Sequence, residues 1–146
     1  MPLILTNASL KINGQELACV TNHLELSPDV SVTTVDTFCG SKDYPGVVKW
    51  SLVATLIQSF DPAATEEVLS SAYAAYLADG TLADFEMAGY RDRAAGVIDN
   101  PTWAGQAIPQ PYSPINGDAG DVSTVDLEWS LSGEPTRTPA VTVPTP

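Results

Sequence analysis

The chain has 146 residues and a formal net charge of −12, from eighteen Asp and Glu against six Lys and Arg. This length predicts one domain, with a core large enough to fold without disulfides or metals. The acidic excess excludes nucleic-acid binding by phosphate neutralisation, because that mode needs clustered Lys and Arg. It indicates instead solubility, cation attraction or repulsion of polyanions.

The first residues include no basic region, long apolar run or cleavage site. We therefore expect no signal peptide, no membrane span and folding in a cytoplasm. Cys19 and Cys39 are too few for a disulfide framework, although a bond between them stays open. Each falls in a strand-like run, where a small buried side chain is the simpler expectation.

The first part of the chain predicts strands joined by turns. Residues 3–12 are typical of a strand or extended arm, and Asn13-Gly14 supplies the positive φ angles of a type I′ hairpin turn. A strand is predicted over 17–26. We expect Ser27-Pro28-Asp29 to end it, because proline cannot donate to a strand ladder. The Val- and Thr-rich residues 30–38 predict the next strand.

Residues 39–46 contain two glycines and a proline and predict a long projecting loop. The longest strand is predicted over 47–60. Both of its faces are partly apolar, so we expect it to be central or covered on both sides.

One clear helix is predicted over 61–78. Asp61-Pro62 can cap and begin it, and Thr65-Glu66-Glu67 offers an alternative start with two acids at the positive end of the helix dipole. Gly80 can end it by taking the left-handed conformation.

Strands return after the helix, at 81–90, 102–108 and 124–131, with a proline-containing loop over 109–120. The first and last alternate apolar and acidic side chains. This order predicts an α+β, mainly β fold: an antiparallel β-sandwich or barrel with one flanking helix, a long projecting loop and extended termini. We assign residues 1–133 to the domain and 134–146 to a proline-rich C-terminal arm.

No pattern of residues points to catalysis. His23 has no visible partner, and Asn116, Asp118 and Asp121 lack the full spacing of a calcium-binding EF-hand. The acid pairs Asp84/Glu86 and Asp126/Glu128 could serve a glycosidase, but a solvated strand face is the simpler interpretation. We therefore expect no catalytic residues, no metal site and no cofactor.

Three segments together resemble the tail tube protein, or major tail protein, of long-tailed bacteriophages. They are LSPDVSVTTVDTFCGSKDYPGVVKWSLVATLIQSF, ATEEVLSSAYAAYLADG followed by FEM, and NPTWAGQAI with SPINGDAGDVSTVDLEWSLSGEP. The resemblance implies a β-sandwich-like barrel that assembles into homohexameric rings. These rings stack into the tube through which genome DNA leaves the capsid.

On this resemblance, the chain is a virion tail protein assembled in the host cytoplasm. Its partners would be its own copies, other tail proteins at the tube ends and passing DNA that is not specifically bound, with no membrane. An acidic lumen would repel DNA within about 10 Å, and the candidate lumen-facing residues are Asp84, Glu86, Asp126 and Glu128. The candidate contacts between subunits or rings are Cys39, Gly40, Ser41, Lys42, Asp43, Tyr44, Pro45 and Gly46.

Three other functions stay open. A tail terminator or head–tail joining protein also forms rings of similar fold. A secreted β-sandwich binding module would need an export signal and an exposed aromatic platform. An enzyme would have to use the acid pairs.

Overall fold

A computed structural model describes residues 3–5 and 7–140 of the chain. This part contains one α-helix, α1 (Thr65–Asp79), and a short 3-10 helix, Ala18–Val20. The strands are β1 (Ser9–Ile12), β2 (Gln15–Glu16), β3 (Thr21–Thr37), β4 (Gly40–Ile57), β5 (Ala83–Ala88), β6 (Thr102–Ile108), β7 (Thr124–Leu131) and β8 (Thr136–Thr138). They form one antiparallel sheet in the order β2-β1-β5-β6-β7-β4-β3, with β8 paired to β6. The predicted α+β, mainly β class is confirmed.

The short pairing of β6 with β7, through Ala107 with Leu131 and Ile108 with Ser130, divides the sheet into two halves, β2-β1-β5-β6 and β7-β4-β3. Apolar side chains from both halves of the sheet and from α1 form one buried cluster. The two halves therefore close over a shared core, in which Trp129 is only 2% exposed. The largest other members are Leu10, Ile12, Leu17, Leu52, Leu56, Leu69, Phe85, Val125 and Leu127.

The predicted hairpin at Asn13-Gly14 is confirmed. Asn13 has a φ of 51° and Gly14 a φ of 83°, and Ile12 pairs with Gln15 across the two-residue turn. Both residue types adopt positive φ readily, so the local sequence is sufficient to specify this turn.

Two expectations for the next segment are wrong. Pro28 does not break the strand, since β3 runs through it and pairs it with Trp50. A proline is tolerated there because β3 is an edge strand of the described sheet. The predicted loop over 39–46 is also absent: Gly40, with a φ of 112°, closes a tight turn and β4 begins there. Residues 47–57 of the strand predicted over 47–60 form the inner part of this longer β4, which ends at Ile57.

The helix begins at the alternative start, Thr65, and not at Asp61. The Thr65 hydroxyl donates to the Ile57 carbonyl oxygen at 2.7 Å, and the Glu66 amide donates to the Ser59 carbonyl oxygen at 3.1 Å. These bonds tie the first turn of α1 to the end of β4. The predicted end is confirmed, because Gly80 is left-handed with a φ of 78°.

The strands predicted after the helix are confirmed as β5, β6 and β7, and the loop over 109–120 contains no strand. Within the predicted arm, β8 pairs with β6, whereas residues 141–146 lie outside the described residues. Cys19 and Cys39 are free and exposed, so the expectation of buried side chains is wrong. They lie in the 3-10 helix and at a strand turn, both on the surface. No helix in the described ranges is long and apolar enough to cross a membrane.

Candidate assembly surface

The outer halves of β3 and β4 form a two-stranded ribbon that leaves the body of the domain. Strand β7 pairs with β4 only along 51–57, so, among residues 3–5 and 7–140, residues 28–37 and 40–50 have only each other as strand partners. Ten residues of strand extend about 33 Å. Apart from the half-buried Gly46 and Trp50, residues 28–50 are exposed. The ribbon is thus solvated on both faces.

One face of the ribbon continues the apolar face of the core. Strand register places Val30 opposite Val48 and Val32 opposite Pro45, on the side shared with the core pair Leu26 and Leu52. Val30 and Val48 are each half exposed. Contiguous apolar surface of this kind marks an interaction site. An isolated two-stranded hairpin is also only marginally stable in water. The ribbon therefore has the character of a surface that a partner covers.

The outer end of the ribbon is polar and is held by short side-chain bonds. The Thr34 hydroxyl donates to Asp43 at 2.7 Å, and the Ser41 hydroxyl donates to Asp36 at 2.6 Å. Phe38 lies fully exposed in the turn. The eight contact residues predicted over 39–46 all lie here, in the turn and in the first part of β4. Their role in contacts between subunits stays a prediction.

Sequence reasoning missed Val30, Val32 and Val48 as members of this surface. The signal was present in the alternation of β-branched residues before and after the turn. A projecting loop predicted over 39–46 gives no reason to pair the strand before it with the strand after it. Only the pairing of β3 with β4 shows that they share one face.

The second candidate surface is the outer face of the sheet, opposite the core. On β7, Asp126 and Glu128 are exposed between buried Val125, Leu127 and Trp129. On β5, Asp84 is exposed and Glu86 half-buried between buried Phe85 and Met87. Both acid pairs therefore point away from the core, one from the β5 half of the sheet and the other from the β7 half.

Register adds residues to the outer face that we did not predict. Glu25 and Glu128 flank Val53 from the two sides of β4, while Lys11 pairs with Glu86. The Thr55 hydroxyl donates to Asp126 and the Gln106 amide donates to Asp84, each at 3.2 Å. The carboxylates are thus oriented by single neutral neighbours and remain open to water.

The polar residues considered for chemistry lie apart from one another. His23 is exposed on β3, opposite Thr55. Within the described ranges, no three His, Cys, Asp or Glu side chains are grouped so as to hold a metal ion. Asp118 and Asp121 belong to a local turn in which the Asp121 amide donates to the Asp118 carbonyl oxygen at 3.0 Å.

No protein-family model and no curated protein matches this chain. Among solved structures, the chain is similar to the sheath/tube terminator of an extracellular contractile injection system, PVC, in its extended state. The TM-score is 0.63 at 12% sequence identity, and the match covers 94% of this chain and 97% of that one. The two proteins share a fold over nearly their whole lengths.

Proposed function

We propose that this chain is a ring-forming structural subunit of a phage-tail-type tube and that it has no catalytic activity. The observation that carries the proposal is the fold shared, over 94% of the chain, with a protein named as a sheath/tube terminator. The exposed ribbon supports it independently, because its apolar face needs a partner and repeated copies of the chain would supply one.

Within such an assembly, we place the chain in the body of the tube, as homohexameric rings that stack into a conduit for genome DNA. The ribbon supports stacking, because it reaches about 33 Å beyond the sheet and could bridge to a neighbouring subunit or ring. Residues 39–46 at its end would then make the contact. The chain would belong to the virion tail, after assembly in the host cytoplasm.

The acidic outer face supports the role of a conduit. Asp84, Glu86, Asp126 and Glu128 would line the lumen, where they offer no cationic contact to phosphates. Their repulsion of DNA would act over a layer of about 10 Å at moderate salt. DNA would pass without being held, which is what a smooth channel requires.

A second candidate position is the end of the tube, as a terminator ring. The role for which the structurally similar protein is named, sheath/tube terminator, favours this position. A terminator would form a single ring and present one of its faces to a different tail protein, whereas a tube subunit must bind its own copies on both faces.

Negative-stain microscopy of the purified protein tests both positions. Stacked tubes about 100 Å wide, the width expected for six such subunits around a channel, would support the tube, and single rings would support the terminator. Dispersed monomers at every protein concentration would contradict ring formation altogether.

Ribbon variants sharpen this experiment. Val30→Asp and Val48→Asp each place a charge on the apolar face and should abolish assembly. Thr33→Asp is the matched control, because Thr33 lies on the opposite face of the same ribbon, paired with Tyr44. Since all three side chains are exposed, the variants should unfold at the same urea concentration as the parent. Equal assembly by all three would contradict the use of this face.

A further inference from the structure

The dipeptide Asn-Gly occurs twice in the chain, at Asn13-Gly14 and at Asn116-Gly117. The first forms the hairpin turn between β1 and β2, and the second lies in the loop that leads into β7. In this dipeptide, the backbone nitrogen of the glycine can attack the side-chain amide of the asparagine and close a succinimide ring. Glycine favours the reaction, since it has no Cβ to shield its nitrogen. Because the two sites share this dipeptide, the fold can make them react differently.

The fold holds the first asparagine in place. The Asn13 side-chain oxygen accepts the Asp84 backbone amide at 2.9 Å, and the Asn13 backbone amide donates to the Asp84 carbonyl oxygen at 2.8 Å. Both bonds join the hairpin turn to the start of β5. The Asn13 side chain therefore cannot turn toward the Gly14 nitrogen without breaking its bond to β5.

The second asparagine is held only through its backbone. The Asn116 backbone amide donates to the Ser123 hydroxyl oxygen at 3.1 Å, and the Asn116 carbonyl oxygen accepts the Thr124 amide at 3.3 Å. Among residues 3–5 and 7–140, the Asn116 side chain has no hydrogen-bond partner, and both Asn116 and Gly117 are exposed. This side chain can therefore rotate toward the Gly117 nitrogen without losing a bond.

The space around Gly117 is also open. A Cβ atom at this position would meet no atom closer than 3.7 Å, and the nearest are the Ser123 Cα and the Val122 carbonyl oxygen. In the part of the chain that the structure describes, the Gly117 nitrogen makes no backbone hydrogen bond. The attacking nitrogen and the amide that it attacks are thus adjacent and exposed.

The other three asparagines are less suited to this reaction. Asn100 is 1% exposed and precedes a proline, which has no N–H to react. The Asn7 side-chain oxygen accepts from Arg91 Nε at 2.5 Å. Asn22 precedes His23, whose side chain shields the nitrogen between them. Asn116 therefore combines a favourable sequence with an unbound and exposed side chain.

We propose that Asn116 is a site of spontaneous deamidation and that the fold protects Asn13 from the same reaction. The Gly117 nitrogen forms a bond to the Asn116 side-chain carbon, and the bond from that carbon to the side-chain nitrogen breaks. The side-chain nitrogen leaves as ammonia, with the proton that the Gly117 nitrogen gives up through water. Water then opens the succinimide at either of its carbonyl groups, which yields aspartate or isoaspartate. The inference does not depend on the proposed ring function.

The reaction changes the charge and the backbone of this loop. Either product adds a negative charge close to Asp118 and Asp121. Isoaspartate also routes the main chain through the former side chain, so the Asn116 carbonyl group becomes a carboxylate outside the main chain. The bond from the Thr124 amide at the start of β7 would then be rearranged. Deamidation of Asn116 is thus an irreversible modification of the entry to β7.

Peptide mass spectrometry of the full chain, incubated at mildly alkaline pH, tests the site. Exchange of an amide for an acid raises the mass of the peptide that contains it, and fragmentation assigns the gain to one residue. In the folded protein, Asn116 should convert about tenfold faster than Asn13, because reaction at Asn13 must first break its bond to Asp84. In urea the two sites should convert at similar rates, since that bond is gone.

Asn116→Gln is the matched variant, because it keeps the amide but must close a larger ring, which forms far more slowly. Its peptide should gain no mass over the same time, while conversion at Asn13 stays as in the parent. Absence of conversion at Asn116 in the folded parent would overturn the proposal, as would equal conversion of the two asparagines. A rate difference that persists unchanged in urea would overturn protection by the fold. A mass gain that persists in Asn116→Gln would overturn the assignment to Asn116.

Discussion

Gly46 lies so close to Ser31 that a Cβ atom at position 46 would stand 2.5 Å from the Ser31 carbonyl oxygen. The contact occurs where the register between Val30 and Val32 shifts, at a bulge in β4. Bulges increase strand twist and re-aim the side chains that follow. This glycine therefore sets the direction of the outer half of the ribbon.

Gly46→Ala should distort the ribbon while leaving the body folded. A backbone oxygen cannot move aside as a flexible side chain can, so the register beyond Val30 must change. We expect assembly to be lost, with the urea midpoint of the body unchanged because residues 28–49 bury little. Negative-stain microscopy measures assembly, and urea unfolding measures the stability of the body. Ser31→Ala, which leaves the carbonyl in place, is the control, and a Gly46→Ala protein that assembles normally would refute the argument.

Thr65→Val should destabilise the domain by about 1–3 kcal/mol, the cost of leaving a buried acceptor unsatisfied. Thr65 is fully buried, and its hydroxyl is the donor that joins the first turn of α1 to the Ile57 carbonyl. Thr65→Ser keeps the hydroxyl and should therefore destabilise the domain less than Thr65→Val does. Urea unfolding measures both. Equal losses for the two variants would show that the hydrogen bond contributes nothing.

Tyr112 should make stability fall at alkaline pH. Burial, together with its hydrogen bond to the Glu66 carboxylate and the charge of that group, raises the pKa of Tyr112 to about 12. The unfolded tyrosine has a pKa of about 10. The unfolded state therefore loses its proton first, and the stabilisation present below pH 10 is lost as the pH rises to 12.

Ultraviolet titration of the phenolate, with unfolding at each pH, measures this effect. Tyr112→Phe should remove both the titration near pH 12 and the matching loss of stability. Glu66→Gln should lower the pKa of Tyr112 but leave it above 10, because burial is the larger cause. If the pKa of Tyr112 is the same in the Glu66→Gln variant as in the parent, the contact with Glu66 does not raise it.

Reversing the charge of the outer face should make the assembled tube retain DNA. Asp84, Asp126 and Glu128 are exposed, and changing all three to Lys adds six charges, from −12 to −6. DNA retention should appear at low salt and vanish at high salt. The control reverses Asp61, Asp118 and Asp121, which are exposed outside the strands and give the same net charge. Equal retention by both triple variants would place the outer face away from the lumen.

Elements that local patterns specify could be predicted from the sequence. Asn13-Gly14 forms its turn because both residues accept positive φ, and Gly80 ends α1 for the same reason. The alternation along β7 fixes which side chains can be buried together, whatever lies next to the strand. These features depend on neighbours within a few residues, so one sequence is enough to show them.

Features that depend on distant neighbours were predicted wrongly or missed. Pro28 is accepted because β3 lies at the sheet edge, and the start of α1 is set by the Thr65 bond to Ile57, eight residues away.

The sequence by itself determined that Asp84, Glu86, Asp126 and Glu128 would face away from buried side chains, because alternation along a strand is a local property. Only the tertiary structure decided which side chains lie beside each pair, since Thr55 opposite Asp126 and Gln106 opposite Asp84 come from distant parts of the sequence. It also decided that the segments around residues 28–37 and 40–50 form one solvated ribbon. Strand pairing is a long-range choice, and no single strand contains the information that fixes it.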